Sequence, residues 1–309
     1  MNYEQLITET ALADERFVVI TAENRALIRN IPNHPVLAKR FIDTGITEQT
    51  MIGMAAGLAL RGRIPVVHAL AAFLTMRAFE FIRTDVGIAN LPVKLTGFIP
   101  GFLSDGNGPT HQAIEDISIL RGIPHMQVFA PADEEDMLIM LPEIWNSTSP
   151  AYTRANLIKP IVQHDKNFKI GKAEVISEGT SITFLVYGML FNNVFQAKQI
   201  LEENGLSIGL VNMRCLKPVE EEVIIKVAKE SELVVIVEDH FKTGGLYSIV
   251  AEVLLKNQLT ANVQSLSLNE NWFRPGRLNE VLEYEGFTPE KIATRVIEFV
   301  ESRETVNGK

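Results

Sequence analysis

The stretch RFIDTGITEQTMIGMAAGLALRGRIPVVHAL, residues 40–70, contains the unit from which the fold is predicted. Residues 40–44 and 65–70 are short apolar runs typical of strands, and residues 47–60 between them carry a helical pattern that opens with Thr47 and an early acid. A strand, a helix and a second strand in this order indicate a parallel sheet covered by helices. The Gly- and Ala-rich helix also indicates close packing against another helix or a partner subunit.

The same alternation continues on both sides of this unit. Further strands are predicted at 17–21, 93–98, 126–130, 151–155, 181–188, 207–213, 232–239 and 262–268. Further helices are predicted at 2–13, 73–88, 113–121, 133–145, 191–204, 219–229, 245–256, 277–284 and 289–302. Residues 156–180 have no helical period and read as an inter-domain connection. The sequence therefore predicts an α/β protein with two domains, 1–165 and 176–309, each a mostly parallel sheet flanked by helices.

Composition excludes several classes of protein. The chain has 309 residues, of which 46% are hydrophobic and 22% charged, as in folded globular proteins. Its apolar runs fall short of the ~20 residues that cross a bilayer, and its net charge of −9 argues against a nucleic-acid surface. The single cysteine, Cys215, excludes a disulfide framework and a cysteine-based zinc site. With no signal-peptide pattern at its start, the chain is predicted to be cytoplasmic and to bind neither nucleic acid nor membrane.

Common enzyme motifs are missing from the sequence, but three segments concentrate unusual residues. There is no G-x-G-x-x-G after the first strand, no Walker A motif, no G-x-S-x-G elbow and no pair of histidines four residues apart. No metal site is therefore predicted. The three segments are 43–57, 69–85 and 101–116, and each follows a predicted strand. Open α/β sheets bind ligands at the carboxyl ends of their strands, so the three segments are predicted to form one site.

Four stretches of the sequence resemble the C-terminal half of transketolase. They are FIDTGITEQTMIGMAAGLAL (41–60), RAFEFIRTDVGIANLPVK (77–94), GPTHQAIEDISILRGIPHMQVFAPADEEDM (108–137) and VEDHFKTGGLYSIVAEVL (237–254). They are similar, more loosely, to 1-deoxyxylulose-5-phosphate synthase and to the β subunits of 2-oxoacid dehydrogenases. The resemblance implies a pyrimidine-binding domain over 1–165 and a transketolase C-terminal domain over 176–309.

The resemblance also implies a cofactor and a partner. The family uses thiamine diphosphate, and a preceding domain with a G-D-G…N motif binds the diphosphate through Mg²⁺. The string most similar to that motif here, SDGNGP (104–109), lies in the third of the three segments and does not match it. A split transketolase is therefore expected, in which an N-terminal partner subunit holds the diphosphate and Mg²⁺. The assembly implied is a 2+2 heterotetramer.

Cofactor contacts are carried over from the family onto matching positions. Glu48 is expected to bond a ring nitrogen of the aminopyrimidine and so to act in catalysis, the alternative being an acid that only favours a helix N-terminus. Phe73 is expected to stack on that ring rather than to be an ordinary core residue. Leu70 stands where many transketolases have a second aromatic residue, and Glu23 stands near a family position beside the cofactor.

Substrate contacts are carried over in the same way. His111, in GPTHQ, is expected to contact sugar hydroxyls or phosphate and to help move protons, and Asn107 replaces a common Asp in that loop. Arg154 matches a phosphate-binding arginine, with an inter-domain ion pair as the alternative. Where the family has a serine, the loop AENRALIRN instead offers Arg25 and Arg29 for an anionic tail.

The function implied is transfer of a two-carbon ketol unit from a ketose to an aldose, with sugars or sugar phosphates as substrates. A reaction like that of 1-deoxyxylulose-5-phosphate synthase or of a 2-oxoacid dehydrogenase is the second hypothesis. A scaffold subunit without chemistry is the third, and the joint presence of Glu48, Phe73 and His111 argues against it. The sugars themselves are left open.

Overall fold

The computed structural model describes residues 1–307, and within that range the chain forms two sheets flanked by helices. The strands are β1 (Phe17–Thr21), β2 (Phe41–Asp43), β3 (Ile64–Leu70), β4 (Lys94–Phe98), β5 (Gln127–Phe129), β6 (Ala151–Ala155), β7 (Glu174–Ser177), β8 (Ile182–Val186), β9 (Ile208–Asn212), β10 (Cys215–Lys217), β11 (Leu233–Phe241) and β12 (Val263–Leu268). The helices are α1 (Tyr3–Ala13), α2 (Glu48–Leu60), α3 (Phe79–Phe81), α4 (Asp116–Arg121), α5 (Glu134–Asn146), α6 (Phe191–Glu203), α7 (Glu221–Glu230), α8 (Leu246–Lys256), α9 (Leu278–Glu285) and α10 (Pro289–Asn307).

The first sheet has, over the described residues, seven strands in the order β10-β5-β6-β4-β3-β1-β2. All pairs in it are parallel except β10 with β5. Alternate residues of β1 pack on opposite faces: Phe17 lies against Trp145 of α5, and Val18 belongs to the buried cluster that contains Met51 of α2. Because both faces carry helices, central strands such as β1 are apolar along their whole length, which is why the sequence revealed them.

The second sheet has the order β12-β11-β8-β9-β7 in the part of the chain that the structure describes. Its pairs are parallel except for β7 with β9. One continuous cluster of buried apolar side chains joins the two sheets, running from Ile117 in the first half of the chain to Leu216 and Ile249 in the second. The predicted fold class, two mostly parallel sheets flanked by helices, is confirmed.

Two short edge strands were not predicted from the sequence. β7 lies in the segment interpreted as a connection, and its range, Glu174–Ser177, includes the predicted start of the second domain at residue 176. β10 lies in the second half of the chain but adds to the first sheet, antiparallel to β5. The second half of the chain therefore supplies a strand to the sheet of the first half.

The predicted helix 73–88 is replaced by three shorter turns. A wide π-helical turn covers Phe73–Arg77, the single α-helical turn α3 follows, and a second π-helical turn covers Ile82–Gly87. The predicted helix at 113–121 begins at Asp116. No helix in residues 1–307 combines the length and apolar character needed to span a membrane. The last two residues of the predicted second domain lie outside the described range.

Candidate active site

Three loops at the carboxyl edge of the first sheet carry the residues expected in the site. Glu48 begins α2 after β2, Phe73 follows β3, and His111 lies in the long loop after β4. In a parallel sheet all these strands end at the same edge. The structure brings Glu48, Phe73 and His111 together there, connected through Arg77.

The Glu48 carboxylate is buried at the start of α2, with 3% of its side chain exposed. Unbonded backbone amides at a helix N-terminus favour a negative charge at this position. Nη1 of Arg77 donates to both carboxylate oxygens, at 3.2 Å to Oε1 and 3.0 Å to Oε2. Arg77 is therefore the counter-charge of Glu48 in this structure.

A continuous row of contacts connects Arg77 to the other two residues. The guanidinium carbon of Arg77 lies 4.2 Å from the centroid of the Phe73 ring, within cation–π range. The Phe73 and His111 rings meet edge to face with centroids 4.9 Å apart. The row Glu48–Arg77–Phe73–His111 thus presents a carboxylate, a planar cation, an aromatic face and an imidazole in sequence.

The loop that carries His111 is built from short 3₁₀ turns, Gly101–Asn107 and Pro109–His111. The Thr110 hydroxyl lies 2.9 Å from His111 Nδ1, and the exposed Asn107 amide donates to the Ser104 carbonyl at 2.9 Å. From the buried Gln112, Nε2 donates across the domains to the Phe273 carbonyl at 2.8 Å. His111 is thereby held at the surface by a loop anchored on the second half of the chain.

The remaining predicted cofactor and tail contacts lie in the loop after β1 and at the end of β3. Glu23 is exposed, has φ 66°, and donates its backbone N–H to Asp43 Oδ1 at 3.0 Å. Arg25 is tied to the same Asp43, with Nε 3.0 Å from Oδ2. Arg29 is exposed, and Leu70 is the half-buried last residue of β3. Their roles stay predictions.

The structure does not favour Arg154 as an anion-binding residue. Its side chain is 2% exposed, its Nε donates to Asp116 Oδ2 at 3.1 Å, and its Nη1 donates to Asp239 Oδ1 at 2.6 Å. Nη2 completes the set with the Ala113 carbonyl at 3.2 Å. All three guanidinium nitrogens are used, with carboxylates from both halves of the chain. The geometry corresponds to the inter-domain ion pair, the alternative that the sequence also allows.

A second buried polar cluster joins the domains around His164, a residue without a predicted role. His164 lies between two carboxylates, with Nε2 2.8 Å from Asp133 Oδ2 and Nδ1 2.7 Å from Glu174 Oε2. Burial disfavours the charged ring, but the hydrogen bonds to Asp133 and Glu174 raise the pKa of His164 to about 10. The ring is therefore an imidazolium that donates from both nitrogens.

Metal-type ligand atoms come together in the same cluster. Asp136, His164 and Glu174 bring one such atom each within 4.8 Å of one another. Arg214 Nη1 already donates to Asp136 Oδ1 at 2.8 Å, and both His164 nitrogens are bonded to carboxylates. The two cations His164 and Arg214 thus neutralise the carboxylates, and we interpret the cluster as an ion-pair network rather than a metal site.

Sequence reasoning missed Arg77 as a site residue. It lies four residues after Phe73, a spacing that places two side chains on one face of a helical segment. The segment 69–85 is notable in the sequence for its aromatic residues, and nothing local distinguishes Arg77 from the second arginine in it, Arg83. The contact with Glu48 joins segments 29 residues apart and leaves no local signal.

Comparison with known proteins identifies the family. The description "Transketolase, pyrimidine binding domain" matches residues 2–156, and "Transketolase, C-terminal domain" matches residues 171–292. Together they cover most of the chain. The chain belongs to the transketolase family, whose members depend on thiamine diphosphate, and it comprises the pyrimidine-binding and C-terminal parts of that family.

Relatives that span nearly the same length are described as parts or subunits of transketolases. It is 34% identical over 301 residues to a putative transketolase C-terminal section of Methanocaldococcus jannaschii, covering 96% of this chain and 94% of that protein. It is 35% identical over 259 residues to a 6-deoxy-6-sulfo-D-fructose transketolase subunit of a Clostridium species, covering 83% and 80%. 1-Deoxy-D-xylulose-5-phosphate synthases are also similar, but the chain spans about half of their length, 48% in one case.

A solved structure gives the same result. The chain matches a protein described as a split-gene transketolase in an inactive β4 tetramer, with a TM-score of 0.85 and 30% sequence identity. The match covers 96% of both chains. Its two domains are thus the transketolase pyrimidine-binding and C-terminal folds.

Proposed function

We propose that this chain is the pyrimidine-binding subunit of a split transketolase that moves a two-carbon ketol unit from a ketose to an aldose. The observation that carries the proposal is the buried Glu48 carboxylate and the half-buried Phe73 ring, which contact the same guanidinium, that of Arg77, at the carboxyl edge of the first sheet. A carboxylate and an aromatic face are what an aminopyrimidine ring requires from a protein. The relatives that extend over nearly the same length support this assignment.

The residues present fit the pyrimidine part of thiamine diphosphate. Glu48 would bond a ring nitrogen, and Phe73 would lie against the ring face. When bound, the cofactor supplies a nucleophilic carbon and an electron sink for carbon–carbon bond cleavage. The task of Glu48 is to hold and return a proton at the ring nitrogen, and the task of Phe73 is to orient the ring and exclude water from one face.

His111 is the proposed contact for the sugar. Its ring contacts Phe73, and the adjacent Thr110 hydroxyl is hydrogen-bonded to Nδ1. Nε2 is therefore the ring nitrogen that we propose bonds the sugar. A neutral or charged imidazole can bond a sugar hydroxyl and exchange its proton. The Asn107 side chain lies in the same loop and offers an amide for a second hydroxyl.

An anionic tail is proposed to meet Arg25 or Arg29 rather than Arg154. Both are exposed, whereas Arg154 is buried in its ion pairs. Arg25 would have to share its guanidinium with Asp43, to which it already donates. Leu70 and Glu23 are kept as peripheral contacts of the cofactor. One relative is described as acting on a sulfonated sugar, so the tail is proposed to be phosphate or sulfonate.

The other half of the site is proposed to come from a partner. In the proposal, an N-terminal transketolase subunit binds the diphosphate and Mg²⁺, and two copies of each chain form a heterotetramer. The outer face of α2 suits such an interface. A Cβ added at Gly57 would meet no atom within 4 Å, and Leu60 is 69% exposed, so this apolar face is not used by the chain's own core.

The domain limits and the location are further parts of the proposal. We assign the pyrimidine-binding domain to 1–165 and the transketolase C-terminal domain to 176–309; the matched ranges, 2–156 and 171–292, support a division of the chain in this region. A cytoplasmic location fits an enzyme of sugar metabolism.

A pyruvate-using reaction is the second candidate, favoured by the similarity to 1-deoxy-D-xylulose-5-phosphate synthases. Donor choice separates the two. The chain is mixed with its N-terminal partner, and product is measured with ketose donors and with pyruvate. Ketol transfer from ketoses supports the proposal. If the mixture turns over pyruvate but no ketose, the second candidate replaces the proposal.

A further inference from the structure

We propose that Arg77 is a displaceable plug that occupies the position of the cofactor's aminopyrimidine ring until the ring binds. This inference rests on the proposed function, because it takes Glu48 and Phe73 to be the contacts of that ring. It assigns a role to a residue on this chain that is neither a cofactor contact nor part of the core.

The guanidinium already makes the two contacts that the ring requires. It bonds both oxygens of Glu48, at 3.0 and 3.2 Å, and lies over the Phe73 face at 4.2 Å. A guanidinium is planar, donates hydrogen bonds to carboxylates and stacks on aromatic rings. Two planar groups cannot lie on the same face of Phe73, so a pyrimidine ring stacked on that face and the Arg77 guanidinium exclude each other.

The burial of Glu48 explains why such a plug stabilises the free chain. Removing the partner of a buried charge leaves that charge uncompensated, which is strongly destabilising. The Glu48 side chain is 3% exposed, and Arg77 is the cation that meets it. The ring nitrogen of the cofactor can take over this partnership when Arg77 leaves.

The position of Arg77 also allows its side chain to move away from Glu48 and Phe73. Its side chain is 41% exposed, so it can turn into solvent without crossing the core. It is the last residue of the π-helical turn, and the next residue, Ala78, departs from helical dihedral angles with φ −97° and ψ 10°. Single π-helical turns are found frequently at functional sites. Arg77 therefore sits at a break between two helical segments.

The test measures binding of the free pyrimidine moiety of thiamine, 4-amino-5-hydroxymethyl-2-methylpyrimidine, to the full chain by NMR titration. Arg77→Ala removes the competitor, and we expect it to tighten binding about 3- to 20-fold, since a partly exposed ion pair and a cation–π contact are both lost from the competing state. Arg77→Gln, which keeps most of the side chain but loses the charge, is the second variant and should tighten binding less.

Arg83→Ala is the matched control, because Arg83 is an exposed arginine on the following π-turn. It should leave the dissociation constant unchanged. If Arg77→Ala weakens binding or leaves it unchanged while the wild-type chain binds, Arg77 is not a plug and the proposed function stands. If neither wild type nor any variant binds the pyrimidine, the site assignment itself falls, and the plug with it.

Discussion

At the scale of single residues, the site depends on Glu48, whose neighbours define its chemistry. Its carboxylate is enclosed by the start of α2 and faces one cation, Arg77. This enclosure removes water from the carboxylate, which is the group proposed to exchange a proton with the cofactor. The roles of Glu48 and Phe73 as cofactor contacts stay predictions, but the structure puts both residues in one contact row with His111.

Glu48→Gln tests the proton-transfer role directly. The amide keeps the size of the side chain but cannot accept and return a proton, so ketol transfer by the complex should fall about 10²- to 10⁴-fold. Steady-state kinetics measures the effect, and circular dichroism checks that the fold is kept. Glu80→Gln, on an exposed acid of α3, is the control. Turnover close to normal in Glu48→Gln would remove Glu48 from catalysis.

Residue-scale reasoning from sequence had a clear limit at Arg154. The sequence placed it correctly at the end of a strand, now β6, but its partners, Asp116 and Asp239, lie 38 and 85 residues away. No local pattern shows that both carboxylates converge on one guanidinium. A family motif predicts the position of a side chain along a strand, but it does not predict the side chain's hydrogen-bond partners.

At the level of helices and strands, the fully buried strands were the ones that the sequence predicted well. β1 and β8 are buried along their whole length, so each is a continuous apolar run, and both were predicted within one or two residues. β7 and β10 have four and three residues and pair antiparallel at sheet edges. Their pairing is decided by distant strands, and their sequences give no period to read. The π-helical turns at 73–87 were not predicted either, because their pattern of apolar residues is the same as that of an α-helix.

The loop after β4 depends on a glycine at its start. Gly101 has φ +57°, and a Cβ there would fall inside the carboxylate of Asp239 and against Arg154 Nη2. We expect Gly101→Ala to destabilise the fold by about 2–5 kcal/mol, because a left-handed backbone and a buried ion pair are both disturbed. Urea unfolding measures the change.

Gly106→Ala is the control for that loop, since its nearest neighbour, the Gly276 carbonyl, leaves room at 3.7 Å. Its effect should stay within about 0.5 kcal/mol. Equal stability losses in the two variants would show that the loop is generally intolerant and that the Asp239 contact is not the cause.

At the scale of the whole molecule, two buried ionic networks fix the domains to each other. One is centred on Arg154 and the other on His164, and each takes residues from both halves of the chain. The His111 loop depends on this arrangement, because Gln112 donates to the Phe273 carbonyl. The geometry of the site is thus a property of both domains, which is why composition and motifs alone could not define it.

The His164 network predicts a pH dependence. The pKa of His164 is raised to about 10 from an ordinary value of 6.5, so its contribution to stability is complete below the ordinary value and is lost as the pH rises through the folded value. His164→Gln should therefore cost about 3–5 kcal/mol near neutral pH, and less as the pH approaches 10. Urea unfolding of both proteins across this range measures the difference. A difference that does not change with pH would mean that the ring is not charged in the folded chain.

In the proposed enzyme, this chain holds the pyrimidine half of a thiamine diphosphate site and a partner holds the diphosphate half. Calorimetric titration of thiamine diphosphate with Mg²⁺ into this chain, into its N-terminal partner and into the mixture tests this division of the site most directly. Tight binding that requires Mg²⁺ is predicted in the mixture, with weak binding to this chain alone, because Mg²⁺ sites in such enzymes combine a few carboxylates with substrate phosphates and those ligands are assigned to the partner. Tight, Mg²⁺-dependent binding to this chain alone would show that the diphosphate half of the site does not come from a partner.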